Sequence, residues 1–338
     1  MKELQEIVRT LFLADSGPSV LATLVAVEGS SYRRPGARLL VRADGRRAGS
    51  ISGGCLEEDL LSRARRVLAE GTAEAVVYDT TSENDLVWGV GLGCHGVVRV
   101  LLERLPPQPE WALALADNFA ARRRTELAVV HRAAAPSALG TQLGSDPPGA
   151  TAAGDEIYLQ IVPPPPALAI FGAGDDSQPL ARLAKELGWH VTVADPRPAF
   201  ATESRFSTAD ALVGAPSEEL AQGVFPGSET GAGQTLAVVM THHYVHDVPL
   251  LRSLLPLNLD YLGLLGPRKR AERILEDLAR SGMAIAPGQL ERLHAPVGLD
   301  LGADAPEQVA LAIMAEMQAT LTARDGRPLR LRTRPIHG

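Results

Sequence analysis

The chain has 338 residues, 45 % hydrophobic and 22 % charged, enough for two packed domains and not a small stapled scaffold. Its formal net charge of −7 argues against general nucleic-acid binding, and no nucleic-acid partner is expected. Lys2, Lys185 and Lys269 are the only lysines and none lies in a glycine-rich loop, while Cys55 and Cys94 are the only cysteines; this excludes a Walker A loop and a disulfide framework and suits a reducing cytosol.

Taken in chain order, Glu3 to Leu13 reads as a helix. The segment up to Leu21 carries acids at Glu3, Glu6 and Asp15 and no cleavable apolar core, so a signal peptide is not expected. No run of about 18 apolar residues occurs, so the expectation is a cytoplasmic protein with no membrane association. Strands are predicted at Ser19–Ala26 and Arg38–Arg42, and Ala43-Asp44-Gly45-Arg46 reads as a hairpin turn into a return strand, Arg47–Ile51. Ser52-Gly53-Gly54-Cys55 leads into a helix over Leu56–Leu68, whose first turn holds Glu57, Glu58 and Asp59. Further strands are predicted at Ala75–Asp79, Val97–Glu103, Leu127–Arg132 and Ile157–Val162, with Ala133 to Gly154 read as loop.

Pro163 to Pro166 form a stiff extended spacer. The expected organisation is an α+β domain over residues 1–162, a proline linker at 163–166, and a Rossmann-like domain over 167–338. The second domain alternates strands at Leu168–Phe171, His190–Ala194, Leu236–Met240 and Tyr261–Leu265 with helices at Gln178–Leu187, Val248–Leu255, Lys269–Ala279 and Pro306–Thr322. That rhythm implies a mostly parallel, doubly wound sheet, and the fold class is α/β overall.

Several loops carry candidate chemistry. Gly172-Ala173-Gly174-Asp175-Asp176-Ser177 joins a strand to a helix, and Asp195 stands 21 residues beyond Gly174, where a ribose-binding acid belongs. Asp175 and Asp176 suit a helix start, yet their charges oppose a pyrophosphate placed there. Ser52, Gly53 and Gly54 are expected to form an anion-binding nest that lowers the Cys55 thiol pKa. The loop Gly89 to Gly96 holds Cys94 beside His95, so both cysteines of the chain lie in glycine-rich loops of one domain. Two soft thiolates suit a soft metal or sulfur transfer, although two residues do not complete a structural zinc site. His242, His243 and His246 follow a parallel strand at its ligand-binding end, and His242 and His246 share a face if that turn is helical. Gly266-Pro267-Arg268-Lys269-Arg270 has the same placement with three cations, and phosphate is its natural ligand. Arg33, Arg34 and Arg38 follow Gly29-Ser30-Ser31-Tyr32 in the hairpin region, where they either face an anionic ligand held near Cys55 or decorate an edge strand.

The segments Glu28 to Ala37, Gly49 to Glu57 and Gly91 to Gly96 resemble the N-terminal domain of the XdhC/CoxI family. Phe171 to Ser177, Thr241 to Asp247, Leu262 to Arg270, His294 to Ala303 and the helix after Pro306-Glu307 resemble its Rossmann domain. The resemblance implies a maturation factor for molybdenum hydroxylases such as xanthine dehydrogenase or carbon monoxide dehydrogenase. Such a factor binds the molybdenum cofactor (molybdopterin), holds it during sulfuration, and delivers it to the apoenzyme. It also implies a cysteine desulfurase as second partner and a homodimer. On that reading Cys55 and Cys94 handle the metal or sulfur. Cofactor-binding candidates are Arg33, Arg34, Ser52, Gly53, Gly54, Gly172, Gly174, Asp195, His242, His243, Gly266 and Arg268. His95 stands where many members carry glycine, which points to a CoxI-like subgroup. Two other functions fit parts of the chain. An NAD(P)-dependent oxidoreductase would bind NAD(P) or another nucleotide at Gly172–Ser177, and a thiol enzyme would use Cys55 as nucleophile with His95 as base.

Overall fold

The computed structural model describes residues 1–13, 17–54, 56–79, 96–145, 154–226 and 233–333. They form two compact units, Met1–Pro164 and Pro165–Gly338.

The first unit opens with α1 (Lys2–Leu11), which buries Leu4, Ile7, Val8 and Leu11, one stripe at helical spacing. Strands β1 (Ser19–Gly29), β2 (Arg38–Arg42) and β3 (Arg47–Gly49) follow. Next come α2 (Glu57–Glu70), β4 (Glu74–Asp79) and β5 (Gly96–Leu105). The five strands make an antiparallel sheet in the order β3-β2-β1-β5-β4. The turn at Asp44-Gly45 forms the expected hairpin, with Val41 opposite Arg47. Then come α3 (Glu110–Ala120), β6 (Thr125–Arg132), β7 (Gly140–Leu143) and β8 (Glu156–Val162), with a second sheet in the order β7-β6-β8. The sequence reading missed α3. It also took Ala133 onward as loop, whereas Pro136–Ala138 is a 3₁₀ turn and β7 pairs with β6.

Strand β1 is buried on both faces, which explains its unbroken apolar run. Val20, Ala22 and Leu24 pack with Leu60, Ala64 and Val67 of α2. Leu21 joins Leu40 and Leu105 with residues of α1 and α3. The same sheet also buries two charged side chains, Arg38 of β2 and Glu103 of β5. Arg38 is fully buried and donates through Nη1 to Gln160 at 2.7 Å and to the Gly36 carbonyl at 3.1 Å. The buried Glu103 accepts from the Thr141 amide at 2.9 Å and from its hydroxyl at 2.5 Å.

The second unit contains a parallel sheet. Its elements are β9 (Ala167–Phe171), α4 (Ser177–Glu186), β10 (His190–Asp195), β11 (Ala211–Gly214), α5 (Ser217–Val224), β12 (Thr235–Val239), α6 (Tyr244–Leu254), β13 (Tyr261–Leu264), α7 (Arg268–Arg280), α8 (Pro287–Glu291), β14 (Leu293–His294) and α9 (Pro306–Leu321). The strand order is β11-β10-β9-β12-β13-β14 and every pairing is parallel. Numbered within this unit the order is 3-2-1-4-5-6, the Rossmann arrangement, so the fold is α/β as expected. Leu180, Ala184, Ile313 and Met317 bring α4 and α9 onto one face. Leu220, Leu250, Leu254, Ile274 and Leu278 bring α5, α6 and α7 onto the other. The segment His294–Gly298 is fastened to α9 through Glu316. That carboxylate accepts from Tyr261 at 2.5 Å and from the Gly298 amide at 2.8 Å, and lies 3.2 Å from His294 Nδ1.

Burial pushes the Glu103 carboxyl above its ordinary value, against the pull of Thr141 and Arg38. A carboxyl raised on folding adds stability that is complete below its unfolded pKa and lost as pH rises through the folded one. The advantage of the wild type over Glu103→Gln in urea unfolding is therefore expected to be largest near about pH 4 and to shrink toward about pH 8. A difference that does not change with pH contradicts this account.

Candidate functional sites

In the first unit the loop after β3 is pinned before α2 begins. The Ser52 amide donates to Glu57 Oε1 at 2.8 Å, and the Ser52 hydroxyl donates to the other carboxylate oxygen. Ser52 Oγ in turn accepts from the amides of Gly54 at 3.2 Å and Leu56 at 3.1 Å. This Ser–Glu clasp fixes both flanks of position 55. Burial opposes ionisation of Glu57, but the bonds from Ser52 and the local amides outweigh it and hold the carboxyl below its usual range. Of the amides expected to point at an anion, those of Ser52 and Gly54 are thus spent within the loop. Gly54 adopts φ +119 with open space where a side chain would stand.

The structure brings Tyr32 to the same loop, because its ring lies 3.9 Å from where a Gly53 Cβ would be. Arg33 is held away by an ion pair of 2.7 Å with Glu3. Arg34 is exposed and Arg38 is buried between the sheets. Cys55, Cys94 and His95 lie outside the described residues.

In the second unit the candidates gather at the reversal point, where the order of the parallel strands changes direction between β9 and β12. Gly172 ends β9 with φ +120, and a Cβ there would stand 2.5 Å from the Met240 carbonyl oxygen and 2.8 Å from the Thr241 amide nitrogen. Only glycine permits this approach. It brings the β9 loop beside the β12 loop, where His242 Nε2 meets Asp176 Oδ2 at 2.7 Å. Asp175 is exposed and accepts from Arg205 at 2.9 Å. Arg205 also donates to the Ala173 carbonyl at 3.0 Å. A Cβ on Gly174 would stand 2.8 Å from Asp176 Oδ1, so the second glycine lies under that carboxylate.

Asp195 is completely buried at the end of β10. It accepts from the Ala173 amide at 2.7 Å and from the Arg197 amide, Nε and Nη2 at 2.8, 2.9 and 3.0 Å. Burial resists its ionisation, but Arg197 and these amides outweigh burial and hold the carboxyl below the ordinary range. Arg197 lies over the Phe200 ring, 4.0 Å from its centre. The acid expected to hold a ribose therefore has both oxygens engaged by the chain itself.

The histidines do not act as one face. His242 has φ +59 and precedes α6, His243 is its N-cap, and His246 lies inside it. His246 Nδ1 meets Ser217 Oγ at 2.8 Å, away from the Asp176 partner of His242. The condition for a shared helix face is not met, because the left-handed residue turns the chain before the helix starts. Thr241 and Asp247 bond at 2.5 Å across the first turn. Arg270 reaches back from α7 to Asp247 and to the His242 carbonyl, so it serves the fold instead of a free anion. Arg268 and Lys269 are exposed on the first turn of α7.

Sequence reasoning missed Ser217, Arg197, Arg205 and the Thr241–Asp247–Arg270 chain. Pro216-Ser217-Glu218-Glu219 carried a readable helix-start signal, with acids in the first turn. The arginine contacts carried none.

Residues 12–79 match a model described as the XdhC and CoxI family, and residues 168–317 match one described as the XdhC Rossmann domain. A protein of Bacillus subtilis named as a probable xanthine dehydrogenase subunit is 34 % identical over 327 residues, 91 % of this chain and 94 % of that protein. The chain belongs to the XdhC and CoxI family. The molybdenum cofactor insertion chaperone PaoD of Escherichia coli is 26 % identical over 88 % of this chain and 82 % of its own. A crystal structure described as a xanthine dehydrogenase from Bacillus halodurans has 30 % identity and a TM-score of 0.78, covering 98 % of this chain and 99 % of that one. The XdhC and CoxI match contains the Ser–Glu clasp, and the XdhC Rossmann match contains every residue of the reversal point. The Gly91–Gly96 loop lies outside both matched spans. Among the described residues no group of three or more His, Cys, Asp or Glu has metal-binding geometry, and no helix is long and apolar enough to cross a membrane.

Two substitutions test these sites. Ser52→Ala removes the acceptor of two amides and a donor to Glu57. It is expected to raise the Glu57 pKa in an NMR titration and to cost about 1 kcal/mol of stability. Gly172→Ala places a methyl group against backbone that has no room for it. It is expected to cost about 2 kcal/mol or more in urea unfolding, and an unchanged midpoint would refute the close approach.

Proposed function

We propose that this protein is a molybdenum-cofactor insertion and maturation factor for a xanthine dehydrogenase- or carbon monoxide dehydrogenase-type apoenzyme. The observation that carries this reading is the Ser52–Glu57 clasp around position 55, within a family whose member PaoD is named a cofactor insertion chaperone. With the loop pinned at residues 52–54 and 56, less entropy is lost when cargo arrives.

The cargo is an anionic pterin with a phosphate and a sulfur-ligated molybdenum. In this reading Cys55 meets the metal or relays sulfur, and Cys94 is its second thiol. Arg33, paired with Glu3, and Arg34 place positive charge on the same unit. Gly53 and Gly54 leave the loop bare enough for a large ligand to approach its backbone. The chain holds the cofactor while a cysteine desulfurase provides sulfur, then passes it to the apoenzyme. It acts as a homodimer in the cytoplasm. In the second unit Arg268 and Lys269 are the cations of the α7 start that remain for a phosphate, since Arg270 is bound to Asp247.

A nicotinamide-dependent oxidoreductase is the weaker alternative. The pyrophosphate of such a cofactor belongs at the start of α4, where the Asp176–His242 pair and Asp175 stand.

The test is co-expression with cofactor biosynthesis, followed by assay of the purified chain for molybdenum and pterin. The wild type is expected to retain both, and Cys55→Ala to lower bound molybdenum by about tenfold or more. Folded protein carrying neither molybdenum nor pterin would sink the proposal. Undiminished retention in the Cys55→Ala, Cys94→Ala double variant would remove the thiols from it.

A further inference from the structure

In the first unit a cleft of about 290 Å³ lies between the β2–β3 hairpin and α2, at the lower end of the size range of small-molecule sites. Val41 and Arg47 stand opposite each other in the hairpin ladder, so they share one face of it. Leu61, Arg65 and Leu68 stand one helical turn apart along α2 and share one face of the helix. Val41, Leu61 and Leu68 give the cleft an apolar wall, the two leucines half-buried against the core that contains Val41. Arg42, Arg47 and Arg65 supply its polar lining.

These arginines differ in what they are bound to. Arg42 is buried and held by Asp44 at 3.0 Å and by the Thr10 carbonyl at 2.7 Å. On α2, Arg63 and Arg66 are paired with Asp59 and Glu74. Arg47 and Arg65 are exposed, and among the described residues neither guanidinium has a hydrogen-bond or ion-pair partner. Acids outnumber bases in this chain by 40 to 33, yet among the described residues no acid lines the cleft. A guanidinium fork matches a carboxylate bidentately. The leucine wall beside it gains only from an apolar group that leaves water.

We infer that this cleft binds a small organic carboxylate, whose charge meets Arg47 and Arg65 and whose aliphatic or aromatic body lies on Val41, Leu61 and Leu68. An inorganic anion has the charge without the body, and an alcohol of the same shape has the body without the charge. The inference is independent of the molybdenum-cofactor reading, which uses none of these residues, and it is tested separately from it.

The experiment is a ligand-observed NMR titration of the full chain at low ionic strength with hexanoate, benzoate, acetate, 1-hexanol, benzyl alcohol and inorganic phosphate. Hexanoate or benzoate is expected to bind with a Kd of about 5 mM or tighter. Acetate, inorganic phosphate and the two alcohols are each expected to bind at least about tenfold more weakly. Arg47→Gln and Arg65→Gln change exposed side chains, so the fold is kept. Each is expected to weaken binding about three- to tenfold, and the double variant to abolish it. Arg66→Gln removes an arginine of the same helix that does not line the cleft, and it is expected to bind as the wild type does. The inference is overturned if neither hexanoate nor benzoate binds at about 50 mM, or if phosphate or the matching alcohol binds as tightly as the carboxylate. It is equally overturned if the folded double variant binds as the wild type does, or if Arg66→Gln weakens binding as much as the two cleft variants do.

Discussion

The second unit depends on the contact between the end of β9 and the backbone at Met240–Thr241, which exists because residue 172 has no side chain. Once those two loops touch, their polar groups must be satisfied among themselves, since a polar group left unpaired away from water is costly. Ser177 accordingly donates to the Gly172 carbonyl at 2.5 Å, Asp176 takes His242, and Arg270 takes Asp247. Each of these pairings removes a group that would otherwise be available to a ligand. The reversal point of the sheet is thus a self-satisfied polar network.

The first unit solves a different problem. Its sheet is buried on both faces of β1, yet Arg38 and Glu103 are enclosed with the apolar side chains. Gln160, Gly36 and Thr141 supply partners from the second sheet and from the β1–β2 loop. A buried polar side chain whose side-chain partner comes from a second sheet ties the relative register of the two sheets to itself. The Ser52–Glu57 clasp applies the same logic at the surface. There a carboxylate held ionised by local donors takes the place of the bound anion that the glycines alone suggested.

The two units therefore treat glycine-rich loops in the same way. In each, the sequence places glycines at a strand-to-helix junction, and in each a neighbouring acid occupies the donors or the space that an anion would need. For the first unit this leaves a rigid platform around one cysteine position. For the second it leaves the loops at the switch point bonded to one another.

Strand and helix positions were legible in the sequence because they follow from local terms: apolar periodicity, glycine stops, acids in first turns and prolines at helix starts. The hairpin at Asp44-Gly45 and the doubly wound pattern after the prolines were readable on that basis, while the family came from the resemblance of whole motifs. Elements without such marks were not, and β11, α5, α8 and β14 were missed too, although α5 carries acids in its first turn. Helix α3, and strand β7 in an Ala/Gly/Pro-rich stretch, took their form from packing and pairing with β6. The partners of the charged and polar side chains were beyond reach for a deeper reason. Arg33, Arg270 and Asp195 look the same in sequence whether they await a ligand or bind one another, because a charge does not record the distance at which its partner will arrive. The sequence determined which residue types stand at the loop ends, and only the tertiary structure decided that Glu3, Asp247 and Arg197 reach them first.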